Sequence, residues 1–200
     1  MTYRRKDTYY RRAKAAGYRA RSAYKLAELD DRFRLLRPGD RVVDLGAWPG
    51  GWMQVALERV GSSGRVVGLD VVPVDTLGVT NAATVAGDIA DRAAVDAVLR
   101  DLSGAADVVL SDLAPKLTGV AATDEARRAA LVDATLAALP ALLRPGGRFL
   151  MKAFMDAGHQ PLVSRLRAAF DDVKATRPEA TRRGSAELYL AGTGYHSVEA

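Results

Sequence analysis

Val42-Val43-Asp44-Leu45-Gly46-Ala47-Trp48-Pro49-Gly50-Gly51-Trp52 is the stretch that decides the fold. An apolar, β-branched strand ends in an acid, passes through a glycine-rich loop and enters a helix. In open α/β sheets, ligands bind in the crevice at the carboxyl ends of strands, where such a loop sits. Glycines there tolerate positive φ and let a ligand approach the backbone closely. The spacing is Gly46-x3-Gly50-Gly51, which is not the G-x-G-x-x-G of dinucleotide binders. A plain strand-to-helix turn could look the same, so the loop alone establishes no ligand.

The flanking sequence repeats the pattern. Upstream, Ser22 to Phe33 reads as an amphipathic helix, and Pro38-Gly39-Asp40 turns into the strand 41–45. Downstream, helices are expected over 52–60, 92–101, 124–143 and 162–170. Strands are expected over 65–70, 84–86, 107–110, 148–154, 173–176 and 187–190. Strands separated by helices imply βαβ units and a mostly parallel sheet, so the class is α/β. The expected organisation is an arm over 1–21, one domain over 22–194 and a tail over 195–200.

Two acids then give the glycine loop a chemical meaning. Asp70 closes the second strand, where a carboxylate can accept hydrogen bonds from both hydroxyls of a ribose. Asp88 follows the third strand, within reach of an adenine amino group. With Gly46, Gly50 and Gly51 they describe a nucleoside pocket without a pyrophosphate cradle. S-adenosylmethionine (SAM) fits that description better than NAD. A second constellation is Ser111-Asp112-Leu113-Ala114-Pro115 at the end of the fourth strand, facing the same crevice. Lys152 interrupts the apolar run Phe149-Leu150-Met151, and a charge in such a strand is costly unless paired or used. Asp112 and Lys152 therefore form either a structural ion pair or part of a catalytic site.

Composition excludes other classes. There is no cysteine in 200 residues, which removes disulfide scaffolds, thiolate zinc sites and cysteine nucleophiles together. With only His159 and His196 as imidazoles, a multi-histidine metal centre is not expected. No apolar run suits a membrane span, and the basic N-terminus lacks an apolar signal core, so a cytoplasmic protein is expected. Net charge is +5, but it is unevenly spread. Residues 1–25 hold nine of the 29 Lys and Arg against the single acid Asp7, leaving 20 bases against 23 acids elsewhere. Five of the seven tyrosines are interleaved with that charge. Cations that meet phosphates, alternating with rings that stack on bases, point to nucleic acid. Arg4, Arg5, Arg11, Arg12, Arg19 and Arg21 are the candidate RNA contacts, with Arg182 and Arg183 a second group.

Nearly end to end, the chain resembles the FtsJ/RrmJ (RlmE-type) family of RNA 2′-O-ribose methyltransferases. The matching segments are 17–26, Asp44 to Trp52, Asp70 to Pro73, Gly87-Asp88, Ser111 to Pro115, Pro145-Gly146-Gly147, Met151 to Phe154, and Arg177-Pro178 through Glu187-Leu188-Tyr189. The resemblance implies a Rossmann-like SAM-dependent methyltransferase fold. Its sheet would have seven strands, mostly parallel with an antiparallel last strand, and helices on both faces. It places the family's Lys-Asp-Lys-Glu tetrad on Lys25, Asp112, Lys152 and Glu187. It also places SAM contacts on Gly50, Trp52, Asp70, Asp88 and Asp112. Bacterial members methylate a uridine in the A-loop of 23S large-subunit rRNA, and eukaryotic relatives act on tRNA or rRNA precursors. A short single domain resembles the rRNA type, acting as a monomer on the large subunit or its precursor, with no metal. A tRNA methyltransferase and a non-catalytic rRNA-binding assembly factor are the alternatives. Trp48, Lys116, Ala153 and the stretch 155–161 depart from the family pattern.

The chemistry needs little from the protein beyond alignment. A ribose 2′-hydroxyl is a poor nucleophile and the sulfonium methyl is already activated. Lys152 either takes the proton or holds the hydroxyl and stabilises the forming alkoxide. Glu187 would position Lys25 or the ribose.

Overall fold

The computed structural model describes residues 8–116, 118–181 and 184–196. Seven strands form one sheet: β1 (Arg41–Leu45), β2 (Arg65–Asp70), β3 (Ala82–Ala86), β4 (Ala106–Ser111), β5 (Leu143–Phe154), β6 (Phe170–Thr176) and β7 (Glu187–Tyr195). Their order is β3-β2-β1-β4-β5-β7-β6. The first five pair in parallel, and β7 runs antiparallel to both β5 and β6. The expected seven-stranded sheet with its antiparallel last strand is therefore present.

Helices cover both faces because the central strands are apolar on both sides. Val43 and Leu45 of β1 face α4 (Arg92–Leu102), α5 (Ala121–Leu142) and α6 (His159–Arg167). Val42, from the same strand, faces α2 (Ala23–Phe33) and α3 (Gly51–Val60). Burying one Val or Leu side chain contributes about 1.5–3 kcal/mol, so β1, with Val42, Val43 and Leu45 fully buried, is firmly held. At the end away from the site, Arg148 donates to Asp40 at 2.9 Å and to the Leu35 carbonyl. That buried cation ties the α2–β1 connection to β5.

Several boundaries differ from expectation, including Phe170, expected at the end of a helix, which instead opens β6, and four of the differences have a clear local reason. A helix α1 (Thr8–Ala15) forms within the arm and buries Ala13. β5 begins at Leu143 instead of Arg148. Leu143 pairs with Ala106 and Arg148 with Val108, so the Pro145-Gly146-Gly147 turn is absorbed as an irregularity in the ladder. α6 begins at His159, because Pro161 falls in its first turn, where a missing N–H costs nothing. β7 runs on to Tyr195, whose ring packs 5.2 Å from Phe170 across the β6 pairing.

The start and middle of α5 shape the surface beside the site. Asp124 fixes the start by accepting from the Thr118 N–H and hydroxyl, both at 2.7 Å. Thr135, Ala138, Leu139 and Leu142 bury the helix end, whereas the residues between 125 and 134 are exposed or half-buried. Between 125 and 134 only Val132 and Ala134 pack against the core, so the middle of α5 stands partly off the sheet.

Candidate active site

Register brings the functional residues to one edge. Leu45 of β1 pairs with Leu69 and Ser111, and Ser111 with Met151, so the strands end level. Asp70 lies one residue past Leu69, Asp112 one past Ser111, and Lys152 one past Met151. β7 runs the other way, so its first residues arrive at the same edge: Glu187 pairs with Phe154 and Tyr189 with Lys152.

The glycine loop is built by close approach. Gly46 has φ +82°, and a Cβ there would lie 3.0 Å from the Leu113 nitrogen and 3.2 Å from the Asp112 carbonyl carbon. Only glycine lets the loop lie against the Asp112 turn. Asp70 braces the loop from the other side, accepting from the Trp48 N–H and the Val72 N–H, each at 2.9 Å. Each carboxylate oxygen keeps capacity for a ribose hydroxyl. Asp88 is exposed and accepts from the Ala90 N–H at 2.9 Å.

Asp44, in sequence simply the acid near a strand end, is the most informative group here. It is wholly buried, and among the described residues neither oxygen has a hydrogen-bond partner. Burial first, then the negative charges of Asp112 and Asp70, push its carboxyl well above the ordinary carboxylate range. A buried carboxyl among acids lacks a cation. SAM carries a sulfonium and an ammonium, so the donor set fits that cofactor. Gly50 caps α3 and its N–H donates to the Ala47 carbonyl at 2.6 Å, whereas Gly51 opens the first turn, where backbone N–H groups lack helix bonds. Trp52 departs from a simple ring contact. Its indole donates to the Ser22 carbonyl at 2.9 Å and packs 5.8 Å from Tyr189, inside the α2–α3 layer. What Trp52 can offer a ligand is its backbone N–H.

The four tetrad positions come together through a fifth residue. Lys152 Nζ donates to the Asp112 carbonyl at 2.6 Å and to Asp112 Oδ1 at 3.1 Å. The Tyr189 hydroxyl lies 2.9 Å from Asp112 Oδ1 and 3.2 Å from Glu187 Oε1. Lys25 Nζ pairs with Glu187 and lies 3.4 Å from the Tyr189 oxygen. Burial first, then the charges of Asp112 and Glu187, hold the Tyr189 phenol far above its ordinary pKa, so it remains a neutral donor. Residues 162 positions apart thus share one hydrogen-bonded cluster. Tyr189 was visible in sequence only as part of a matching segment. Its alternation with Glu187 along one strand face was the available signal.

The arm divides into two parts. Residues 17–20 strap the glycine loop. The Arg19 guanidinium donates to the carbonyls of Asp75 at 2.6 Å, Thr76 at 2.7 Å and Pro49 at 3.4 Å, and the Arg19 N–H donates to Gln54. Tyr18 donates to Glu58 at 2.8 Å, and burial with that carboxylate pushes its phenol up to about 12. α1 instead presents Arg11 and Arg12 at the surface, with the Arg12 guanidinium 5.0 Å from the Tyr24 ring. Arg21 is half-buried. Arg4, Arg5, Arg182 and Arg183 lie outside the described residues. No described helix is long and apolar enough to cross a membrane.

Comparison with known proteins agrees with this geometry. The chain is 49% identical over 93% of its length to ribosomal RNA large subunit methyltransferase E of Azoarcus sp. strain BH72, covering 90% of that protein. It is 40% identical over 98% of its length to the protein of the same name from Methanothermobacter thermautotrophicus, covering 93% of it. Among solved structures, a Plasmodium falciparum protein assigned as a ribosomal RNA methyltransferase superposes with a TM-score of 0.79 at 27% identity, covering 89% of this chain and 98% of that one. Aeropyrum pernix fibrillarin, solved with natively bound SAM, shares the fold at a TM-score of 0.59 and 18% identity, over 86% of this chain and 76% of its own. The FtsJ-like methyltransferase pattern itself matches residues 18–195, and the chain belongs to that family.

Proposed function

We propose that this protein transfers the methyl group of SAM to a ribose 2′-oxygen of large-subunit rRNA, at a uridine in the A-loop of 23S rRNA. It would act in the cytoplasm, as a single chain on the large subunit or its precursor. Every member of the lysine–carboxylate–tyrosine cluster comes from one chain, which supports a monomer. The rRNA substrate follows from the names of the relatives. The observation that carries the chemistry is the pairing of Lys152 with Asp112, whose backbone lies against Gly46 of the glycine loop.

SAM, when bound, supplies a methyl group made electrophilic by its sulfonium. Asp70 holds the ribose of the cofactor through the oxygen lone pairs that Trp48 and Val72 leave free. Asp44 and Asp112 face its positive charge. Lys152 has two acceptors at Nζ already, both from Asp112, which suits an ammonium with a third N–H left over. That N–H donates to the 2′-oxygen and fixes the direction of its lone pair. The hydroxyl proton needs no dedicated base, because the oxygen becomes strongly acidic as the methyl bond forms and releases it to water. Asp112 keeps Lys152 in place and is itself steadied by Tyr189. Glu187 pairs with Lys25, which lies at the edge of the same cluster and is available to a phosphate or ribose of the RNA.

The test is transfer of tritiated methyl from SAM onto undermodified large subunits, with free rRNA and tRNA alongside. Label at one ribose, resistant to alkaline cleavage, in large-subunit rRNA is expected. Label in tRNA, or on a base, would overturn the reading.

A further inference from the structure

A hollow of about 210 Å³ opens where the middle of α5 stands off the sheet, between α5, the end of β5 and the start of α6. It abuts the site: Ser111 and Leu113, on either side of Asp112, belong to its lining, and so does Lys152. None of Gly46, Asp70 and Asp88 does, so it is separate from the nucleoside pocket. We propose that this hollow receives the base of the nucleotide being methylated, swung out of its stack, with Arg128 as the residue that stacks on it. The inference rests on Lys152 meeting the 2′-hydroxyl.

Covalent geometry supplies the first argument. The 2′-oxygen and the base hang from adjacent ribose carbons. A base whose 2′-oxygen is held at Lys152 therefore lies within one sugar's width of that nitrogen, and Lys152 itself belongs to the lining of the hollow. A stacked or paired nucleotide cannot present its ribose this deep in a cleft, so its base must be extruded and needs a receiving site.

The lining has the chemistry of a nucleobase: apolar faces and polar edges. Pro115, Met151 and Phe154 contribute apolar surface. The Arg128 guanidinium sits 5.2 Å from the Phe154 ring centre, and its Nε lies 3.3 Å from Asp156 Oδ2. Its Nε makes no hydrogen bond among the described residues, so the guanidinium is a flat cation held by ring and charge contacts alone, a plane of the kind on which a base stacks. His159 is also in the lining, nine-tenths buried, and its Nδ1 has no hydrogen-bond partner among the described residues. A buried ring nitrogen without a partner is costly, and the N–H or C=O edge of a base would satisfy it.

Two variants and one altered substrate test the proposal, with the wild-type protein in the same assay. Ala129 lines the hollow from an exposed position on α5, so Ala129→Trp obstructs it without disturbing the core. Arg128→Lys keeps the charge and removes the plane. Each is expected to lower single-turnover kcat/KM on undermodified large subunits by about 10-fold or more, the scale of one missing base stack, with SAM Kd unchanged. Large subunits rebuilt with an abasic target nucleotide, whose ribose keeps its 2′-hydroxyl, should slow the wild type by a similar factor. On that substrate the variants should lose nothing further. Normal turnover by Ala129→Trp, full activity in Arg128→Lys, or normal methylation of the abasic nucleotide overturns the proposal. Failure of the wild type to methylate any ribose overturns instead the reading on which it rests.

Discussion

The Tyr189 hydroxyl stands 2.9 Å from Asp112 Oδ1, and that contact links Asp112 and Lys152 to the Lys25–Glu187 pair, in which the two ends of the chain meet. Lys25 and Glu187 lie on one side of it, Asp112 and Lys152 on the other. The phenol has one proton to donate and two carboxylates within reach, so it separates charges that would otherwise repel at close quarters. Its burial keeps water out of the arrangement.

Removing only that oxygen should therefore weaken the site without emptying it. Tyr189→Phe keeps the ring against Trp52 and deletes the bridge. Hydrogen bonds to charged groups contribute roughly 1.5–3 kcal/mol, so the methyl-transfer step should slow by about 10- to 100-fold. SAM Kd, measured by calorimetry, should stay within about twofold. A variant with full single-turnover rate would make the bridge merely structural.

Lys152→Ala is a sharper case. The variant should lose methyl transfer almost completely while SAM affinity is largely retained, since the proposed partner of Lys152 is the acceptor hydroxyl and not the cofactor. Near-normal transfer rates would reduce the Asp112–Lys152 contact to an ion pair that satisfies a buried cation.

Much of this was legible in the sequence, and the limits have physical causes. The fold followed from β1 and its loop, because branched apolar residues ending in an acid and glycines have few alternatives. Asp70, Asp112 and Lys152 were readable because parallel strand ends fall at one edge of the sheet, whereas Glu187, at the start of an antiparallel strand, came only with the family resemblance. Asp44 was not, because a strand-ending acid looks the same whether solvated or buried without a partner. Arg19 was counted among the arm's cations, and nothing in its spacing reveals three backbone carbonyls waiting beside the glycine loop. The stand-off of α5 was hidden too, since its alanines suit either a packed or an exposed face.

Asp70→Ala should weaken SAM binding by roughly 1.5–3 kcal/mol, the scale of charge-assisted hydrogen bonds to a ribose. The change also releases the Trp48 and Val72 N–H groups, so loop exchange by hydrogen–deuterium measurement should rise at both residues. Unchanged calorimetric affinity would remove the assignment.

Asp44 gives the site a pH dependence of known sign. Its folded pKa is raised above the unfolded value, so the folded state binds the proton more tightly. Its contribution to stability is full below about pH 3.9, the unfolded value, and is lost as pH rises from there towards the folded pKa. Asp44→Asn should remove that decline, raising Tm of the SAM-free protein at neutral pH. Binding a cationic ligand favours the ionised carboxylate and expels the proton, so wild-type SAM affinity should rise with pH, by up to about tenfold per unit. In Asp44→Asn that slope should flatten and affinity should fall. A slope identical to wild type would show that another group titrates.

The last prediction separates the two parts of the arm. Arg11 and Arg12 are exposed on α1, whereas Arg19 is spent on the carbonyls of Pro49, Asp75 and Thr76. A Cβ at Gly50 would lie 2.9 Å from Arg19 Nη1, so that guanidinium and the glycine loop are in direct contact. Arg19→Ala should then weaken SAM binding and leave the salt dependence of RNA binding nearly intact. Replacing Arg4, Arg5, Arg11 and Arg12 together by Ala should do the opposite. For every phosphate of a single-stranded segment that the protein no longer neutralises, the slope of log K against log salt falls by about 0.7. The quadruple variant should therefore bind RNA with a visibly flatter slope and a raised KM, at unchanged SAM affinity. If instead Arg19→Ala flattens the slope and spares SAM, the strap is an RNA contact and its bonds to the loop are incidental. If the quadruple variant keeps the wild-type slope, the exposed arm is a solvated tail, and the phosphate contacts must be sought at Lys116, Arg182 and Arg183.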